Sequence, residues 1–105
     1  MNIDIDIESL SKDEFSAYRL IDIREPHEYE TMPAATNQVE YIPFAEFPNN
    51  ILAFNSKDQY LLFCAVGGRS HHMAAYLAQE GIHALSVING ISAVNMYLQK
   101  NANAR

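Results

Sequence analysis

The feature that most constrains the fold is an apolar run at residues 60–64, which leads through two glycines into a helical pattern. An unbroken apolar run of this kind is typical of a strand that is covered on both faces of a parallel sheet. After Gly67 and Gly68, residues 70–79 place their apolar side chains on one helical stripe, and Gly81 stands where a glycine commonly ends a helix. The middle of the chain therefore predicts a buried strand, a short loop and a helix.

The same succession of strand and helix signals precedes this segment. Residues 3–7 alternate isoleucine with polar residues, which predicts a half-buried strand, and a capping box then opens a helix over residues 11–18. A β-branched run predicts a second strand at residues 20–23, and Pro26 suits the first turn of a short helix after it. Residues 39–42 predict a third strand.

The rest of the chain continues the alternation. Residues 44–54 have apolar residues at helical spacing, interrupted by Pro48. Residues 84–88 predict a further strand, an Asn-Gly pair predicts a turn, and residues 91–100 predict a last helix. Because strands and helices alternate throughout, we expect an α/β fold with a parallel sheet, right-handed crossovers and helices on both faces.

Composition and charge exclude several classes of protein. The chain has 105 residues, of which 49% are hydrophobic, so residues 1–105 are expected to form a single domain. Seven basic residues stand against 13 acidic ones, and no run of lysine or arginine could follow a track of phosphates. This argues against nucleic acid and against an anionic membrane surface as partners. Acidic residues near the N-terminus do not fit a secretory signal, so a cytoplasmic location is expected.

The chemistry centres on Cys64, the only cysteine and the last residue of the predicted central strand. Ligands of open parallel sheets bind outside the carboxyl ends of the strands. Backbone N–H groups of a loop and the start of the following helix both favour an anion, and so lower the pKa of a thiol placed there. The loop that would surround the sulfur consists of Ala65, Val66, Gly67, Gly68, Arg69 and Ser70. This pattern predicts an activated nucleophile; the alternative is a cysteine buried for packing alone.

Three parts of the chain resemble the single-domain rhodanese-like sulfurtransferases. Residues 20–30 resemble the family's strand and acidic helix, and residues 60–70 resemble its strand and active-site loop. Residues 74–81 and 87–91 resemble its closing helix, strand and turn. The resemblance implies a rhodanese-like α/β fold, with a five-stranded, mainly parallel sheet and helices on both faces.

The resemblance also implies an activity. Cys64 would take sulfur from a donor such as thiosulfate or a persulfide, hold it as a persulfide and pass it to cyanide, a small thiol or a protein cysteine. The partners would be a small-molecule sulfur donor and acceptor, or a protein thiol, with no metal and no organic cofactor. Within the substrate-binding loop, Arg69 would bind the anionic donor, and Ser70 would cap the helix and donate to the sulfur.

Two other functions share this architecture. Four residues separate Cys64 from Arg69, one fewer than in the related cysteine-dependent phosphatases and arsenate reductases, so the loop favours sulfur over a tetrahedral oxyanion. The open alternative is a non-enzymatic rhodanese-like module that carries or senses sulfur or binds a protein partner.

Several positions depart from the family pattern. Residues 32–35 replace a His-Ile-Pro-Gly-Ala-like stretch, Asn89 replaces the first of two glycines, and Val94 stands where a tryptophan is expected. Ala65 and Val66 are uncharged where some thiosulfate-preferring members have basic residues. Thiosulfate is therefore expected to be a poor donor.

The remaining candidates favour structural roles. Asp22 and Arg24 lie two residues apart at a predicted strand end, where an ion pair that supports neighbouring loops is expected rather than chemistry. His71 and His72 are adjacent on a helix and point about 100° apart, so they do not form the one-face pair of a zinc site.

Overall fold

A five-stranded sheet forms the centre of the protein in the computed structural model, which describes residues 2–103. The strands are β1 (Asp4–Ile5), β2 (Arg19–Asp22), β3 (Glu40–Tyr41), β4 (Gln59–Phe63) and β5 (His83–Val87). They lie in the order β1-β5-β4-β2-β3, and every neighbouring pair is parallel. The predicted α/β fold is confirmed, and the sheet is entirely rather than mainly parallel.

Helices cover both faces of this sheet, as predicted. They are α1 (Lys12–Ser16), α2 (Pro26–Thr31), α3 (Gly68–Gln79) and α4 (Gly90–Asn103). Successive side chains of β4 point to opposite faces, so Leu62 packs in one cluster with Leu77 of α3, and Phe63 packs in the other with Val94 of α4. No helix in the described part of the chain has both the length and the apolar character needed to cross a bilayer.

Local sequence signals set the starts of the first two helices. The Ser11 hydroxyl accepts the Glu14 N–H at 3.1 Å, and the Glu14 carboxylate accepts the Ser11 N–H at 2.8 Å. This is the predicted capping box, which satisfies two N–H groups that the first helical turn leaves without partners. Pro26 occupies the first position of α2, where its missing N–H costs no hydrogen bond.

Strand β1 and the segment around Pro48 differ most from the prediction. Strand β1 is shorter than expected, because the Asp6 carboxylate accepts a backbone N–H and caps a 3-10 turn over Ile7–Ser9. The helical spacing around Pro48 becomes two 3-10 helices, Phe44–Glu46 and Asn49–Ala53, rather than one interrupted α-helix. Proline lacks the N–H that a continuous helix would need at that point.

Candidate active site

Cys64 lies directly after the central strand β4, at the carboxyl edge of the sheet. The chain turns at Gly67, which has a φ of 120°, and α3 begins at the next residue. A left-handed φ of this size favours glycine, because a Cβ atom would clash with the backbone. The tight turn folds the loop back over the sulfur and leaves Cys64 only 1% exposed.

Hydrogen-bond donors surround the sulfur. The Gly67 N–H donates to Cys64 Sγ at 3.1 Å, and the Ser70 hydroxyl lies 3.5 Å from the same atom. Burial raises the pKa of the Cys64 thiol, but hydrogen bonds from the Ser70 hydroxyl and from the N–H groups of Ser70, Gly67 and Val66 outweigh it. The net effect lowers the pKa of Cys64, which increases its thiolate fraction at neutral pH.

Ser70 faces the sulfur instead of capping α3. The helix begins two residues earlier than predicted, so Gly67 is its N-cap and the expectation that Ser70 fills that position is wrong. The Ser70 hydroxyl oxygen lies 2.6 Å from the hydroxyl oxygen of Ser86 and 3.2 Å from the Gly67 carbonyl oxygen. Ser86, on β5, is buried. The sequence analysis assigned it no role, although a serine among the apolar residues of the strand predicted at residues 84–88 was a possible signal.

Arg69 is held by a carboxylate of α2. Both of its terminal nitrogens donate to the two carboxylate oxygens of Glu28 at 2.7 Å, and one of these oxygens also accepts the Glu25 N–H at 3.0 Å. The hydrogen bonds from Arg69 lower the pKa of Glu28 to about 2. Glu28 belongs to the segment that resembles the family's acidic helix, but its spacing from Arg69 in the chain gave no sign of the contact.

The start of α4 fixes the first half of the loop. The Ile91 N–H donates to the Cys64 carbonyl oxygen at 3.0 Å. Gly90 has a φ of +57°, and a Cβ atom there would collide with the carbonyl oxygens of Cys64 and Ala65. Asn89 also has a positive φ, of 69°, as expected when it replaces a glycine. The Asn-Gly turn therefore lets α4 contact the loop backbone directly.

Asp22 and Arg24 form a buried ion pair beside this site. The Asp22 carboxylate accepts two guanidinium N–H bonds, at 2.9 and 3.0 Å, and the Arg24 backbone N–H at 3.0 Å. The Arg24 guanidinium also lies 5.6 Å from the Phe63 ring centre and donates to the Glu28 carbonyl oxygen at 3.5 Å. The pair thus connects the end of β2 to the central strand and to the helix that carries Glu28.

The remaining sequence candidates take separate positions. The exposed His71 ring nitrogen Nδ1 lies within hydrogen-bond distance of the Asp4 carboxylate, at 2.9 Å, and the ring of His72 lies edge-on to those of Phe44 and Phe47. The segment at residues 32–35 is held by α4, because the Asn95 side chain donates to the Pro33 carbonyl and accepts the Ala35 N–H. Val94, the residue found where tryptophan is expected, is fully buried.

Comparison with known proteins agrees with this geometry. A family model described as a rhodanese-like domain matches residues 7–96. A tRNA sulfurtransferase from Shewanella loihica is 34% identical over 70 residues, which are 65% of this chain. The match spans only 14% of that protein, so the chain resembles a small part of it.

Solved structures extend the likeness to nearly the whole chain. A rhodanese-like domain protein from Staphylococcus aureus is 27% identical, with a TM-score of 0.70 over 89% of this chain and 90% of its own. A protein from Staphylococcus saprophyticus is 29% identical, with a TM-score of 0.71 over 86% of this chain and 89% of its own. From the matched family model, the shared fold and the cysteine loop, we conclude that this chain belongs to the rhodanese-like domain family.

Proposed function

We propose that this protein is a sulfurtransferase that carries sulfane sulfur as a persulfide on Cys64. The observation that carries the proposal is the set of donors around Cys64 Sγ, above all the Gly67 N–H at 3.1 Å and the Ser70 hydroxyl at 3.5 Å. Hydrogen bonds to an anionic sulfur favour the thiolate over the thiol. The match to a tRNA sulfurtransferase supports sulfur transfer as the class of reaction.

In the first step, the Cys64 thiolate attacks the outer sulfur of a donor such as thiosulfate or a persulfide. A new sulfur–sulfur bond forms at Cys64, and the donor's own sulfur–sulfur bond breaks. Its electron pair leaves with sulfite or with the donor thiolate. Sulfur serves as nucleophile, electrophile and leaving group, so the step needs neither a metal nor an organic cofactor.

In the second step, an acceptor such as cyanide or a thiolate attacks the outer sulfur of the Cys64 persulfide. The bond to Cys64 breaks, its electron pair returns to the Cys64 thiolate, and the acceptor leaves with the sulfur atom. The outer sulfur lies about 2 Å from Sγ, one sulfur–sulfur bond length away. The same donors that hold the thiolate stabilise Cys64 as the leaving group.

The charge around the loop favours donors that carry little charge. Glu28 neutralises Arg69, and Ala65 and Val66 add no cation, so a thiosulfate dianion gains little electrostatic attraction. A persulfide carries less charge and is the better match. We place this chemistry in a reducing compartment such as the cytoplasm, where an unpaired thiol persists.

Steady-state sulfur transfer to cyanide, followed as thiocyanate, tests the proposal with inorganic polysulfide and thiosulfate as donors. The wild type should turn over with polysulfide, and Cys64→Ser should be inactive with an unchanged far-UV circular dichroism spectrum. Arg69→Ala should raise the KM for thiosulfate more than it lowers kcat, because it leaves the Glu28 carboxylate uncompensated near the donor. Activity retained by Cys64→Ser would rule the proposal out.

A further inference from the structure

Three exposed apolar side chains lie together beside the cysteine loop. They are Val66 (80% exposed), Met96 (61%) and Ile88 (45%), three of the six large hydrophobic side chains that are exposed in the described part of the chain. All three border one surface depression with a volume of about 440 Å³, which we call the apolar cleft. Isolated apolar side chains are common on protein surfaces, whereas several around one depression are typical of a binding site.

The apolar cleft is built from the elements that hold the sulfur. The Val66 N–H is one of the backbone donors to the Cys64 sulfur, and the Val66 side chain borders the cleft. Ile88 directly follows β5, and Met96 lies on α4. The first turn of the same helix contacts the loop, because the Ile91 N–H donates to the Cys64 carbonyl oxygen at 3.0 Å. The cleft is therefore adjacent to the place where Cys64 would react.

The apolar cleft offers no positive charge to an anion. Its charged border residues are Asp6 and Glu8. The Glu8 carboxylate is paired with Lys100 at 3.1 Å, and the Asp6 carboxylate accepts the Glu8 N–H at 3.0 Å, with no cation in an ion pair with it among the residues that the structure describes. Arg69, in the loop, is paired with Glu28. An anionic group in the cleft would lose hydration beside Asp6 and gain no counter-ion, whereas an uncharged apolar group would pay no such cost.

We propose that the apolar cleft selects organic persulfides and thiols with an uncharged, apolar substituent over those with a polar or anionic one. The inference rests on the proposed sulfurtransferase function and names the substrate class of the same site. Val66, Ile88 and Met96 would cover the substituent, and removal of its methylene groups from water would supply the binding energy. A volume of about 440 Å³ is ample for a short alkyl chain.

Transfer from such a donor balances without a further reagent. The Cys64 thiolate attacks the outer sulfur of the organic persulfide, and the bond between the donor's two sulfurs breaks. The electron pair of that bond leaves on the donor's inner sulfur, which becomes a thiolate, and the outer sulfur stays on Cys64 with any proton that it carried. Transfer to an acceptor thiolate is the same step in reverse, so the substituent of an acceptor would occupy the same cleft.

Sulfur transfer from Cys64 to small thiols tests the proposal. The acceptors are 1-butanethiol, 2-mercaptoethanol and 3-mercaptopropionate, which end in an alkyl, a hydroxyl and a carboxylate group. Wild-type protein is loaded with inorganic polysulfide, excess is removed, and the loss of sulfur to each thiol is followed by intact mass. Each rate is divided by the rate of the same thiol with a small-molecule persulfide, which removes differences in thiol reactivity.

Substitutions inside and outside the cleft locate the substituent. The double variant Ile88→Thr/Met96→Gln makes the cleft more polar without changing its charge. Met32→Gln, at an exposed methionine of a neighbouring depression, and Leu52→Gln, at a side chain 92% exposed elsewhere, are the matched controls. Because both rates are measured on the same protein, the ratio of 1-butanethiol to 2-mercaptoethanol does not depend on how much of a variant folds or takes up sulfur.

In the wild type, the corrected rate with 1-butanethiol should exceed that with 2-mercaptoethanol about tenfold, and 3-mercaptopropionate should be slowest. The double variant should bring the ratio close to one, and both controls should keep the wild-type ratio. A wild-type ratio near one, an unchanged ratio in the double variant, or loss of the preference in Met32→Gln would overturn the inference and leave the proposed function standing. If wild-type Cys64 takes no sulfur from polysulfide, the proposed function itself fails, and the inference with it.

Discussion

Glu28 and Arg69 join through two parallel hydrogen bonds of 2.7 Å, and this pair connects helix α2 to the beginning of α3 beside Cys64. In this arrangement the two N–H donors of the planar guanidinium face the two oxygen acceptors of the carboxylate. Arg69 is the only basic residue between Cys64 and Ser70, and its charge is already compensated. The pair thus holds the loop while it removes the attraction that a free arginine would exert on an anionic donor.

Glu28→Gln should make thiosulfate a better donor. The substitution keeps the shape of the side chain and leaves Arg69 with an uncompensated positive charge, so the KM for thiosulfate should fall about three- to tenfold. The measurement is the initial rate of thiocyanate formation against thiosulfate concentration. Glu30→Gln, on the exposed side of the same helix, should leave the KM unchanged. An unchanged or higher KM in Glu28→Gln would show that Glu28 does not limit the binding of anions.

The Glu28–Arg69 pair should also make stability depend on pH in the acid range. The pKa of Glu28 is lowered from 4.5 to about 2 by the Arg69 hydrogen bonds, so the folded state favours the charged carboxylate. Its contribution is complete above about pH 4.5 and is lost as the pH falls towards 2. Urea unfolding should show Glu28→Gln about 2 kcal/mol less stable than wild type at neutral pH, allowing for partial exposure, with the difference shrinking near pH 2.5. A difference that does not change with pH would contradict this assignment.

Ser86→Ala should raise the pKa of Cys64 although Ser86 does not touch the sulfur. The buried Ser86 hydroxyl lies 2.6 Å from that of Ser70, and when it donates there the Ser70 proton is shared between only two acceptors, Cys64 Sγ and the Gly67 carbonyl oxygen. The pH profile of iodoacetamide alkylation should therefore move to higher pH in Ser86→Ala, and further in Ser70→Ala. Ser92→Ala, which removes an exposed hydroxyl on α4, is the control. Identical pH profiles of alkylation for Ser86→Ala and wild type would show that Ser86 contributes only packing and does not affect the Cys64 thiolate.

Gly90→Ala should destabilise the protein through the loop. A Cβ atom at residue 90 would collide with the carbonyl oxygens of Cys64 and Ala65, and the φ of +57° adds strain. The expected loss is about 2–4 kcal/mol in the free energy of unfolding, measured with urea. Gly68→Ala is the matched control, since a Cβ atom there meets no atom within 4 Å. Equal stability of the two variants would mean that α4 does not hold the loop in place.

The fold follows from local patterns in the sequence. The apolar run at residues 60–64 predicted the central strand, and the helical stripe after it predicted α3. Both depend on the spacing of apolar residues, which the chain carries directly. The capping box at Ser11 and the proline at residue 26 set helix starts in the same local way.

The contacts that complete the site could not be predicted in this way. Glu28 and Arg69 are 41 residues apart, and Ser70 and Ser86 are 16 apart, so their contacts depend on how α2, α3 and β5 pack together. The direction of the Ser70 hydroxyl depends on where α3 begins, and helix ends are the least certain part of a sequence-based assignment.

The central claim is that Cys64 carries a transferable sulfur, and intact mass spectrometry tests it most directly. Purified wild-type protein and Cys64→Ser are incubated with inorganic polysulfide or with thiosulfate, and the excess donor is removed. The intact mass of each protein is then measured before and after cyanide is added. The account predicts a gain of one sulfur atom in the wild type with polysulfide, its loss on addition of cyanide, and no gain in Cys64→Ser. No added sulfur with either donor, or the same gain in Cys64→Ser, would contradict it.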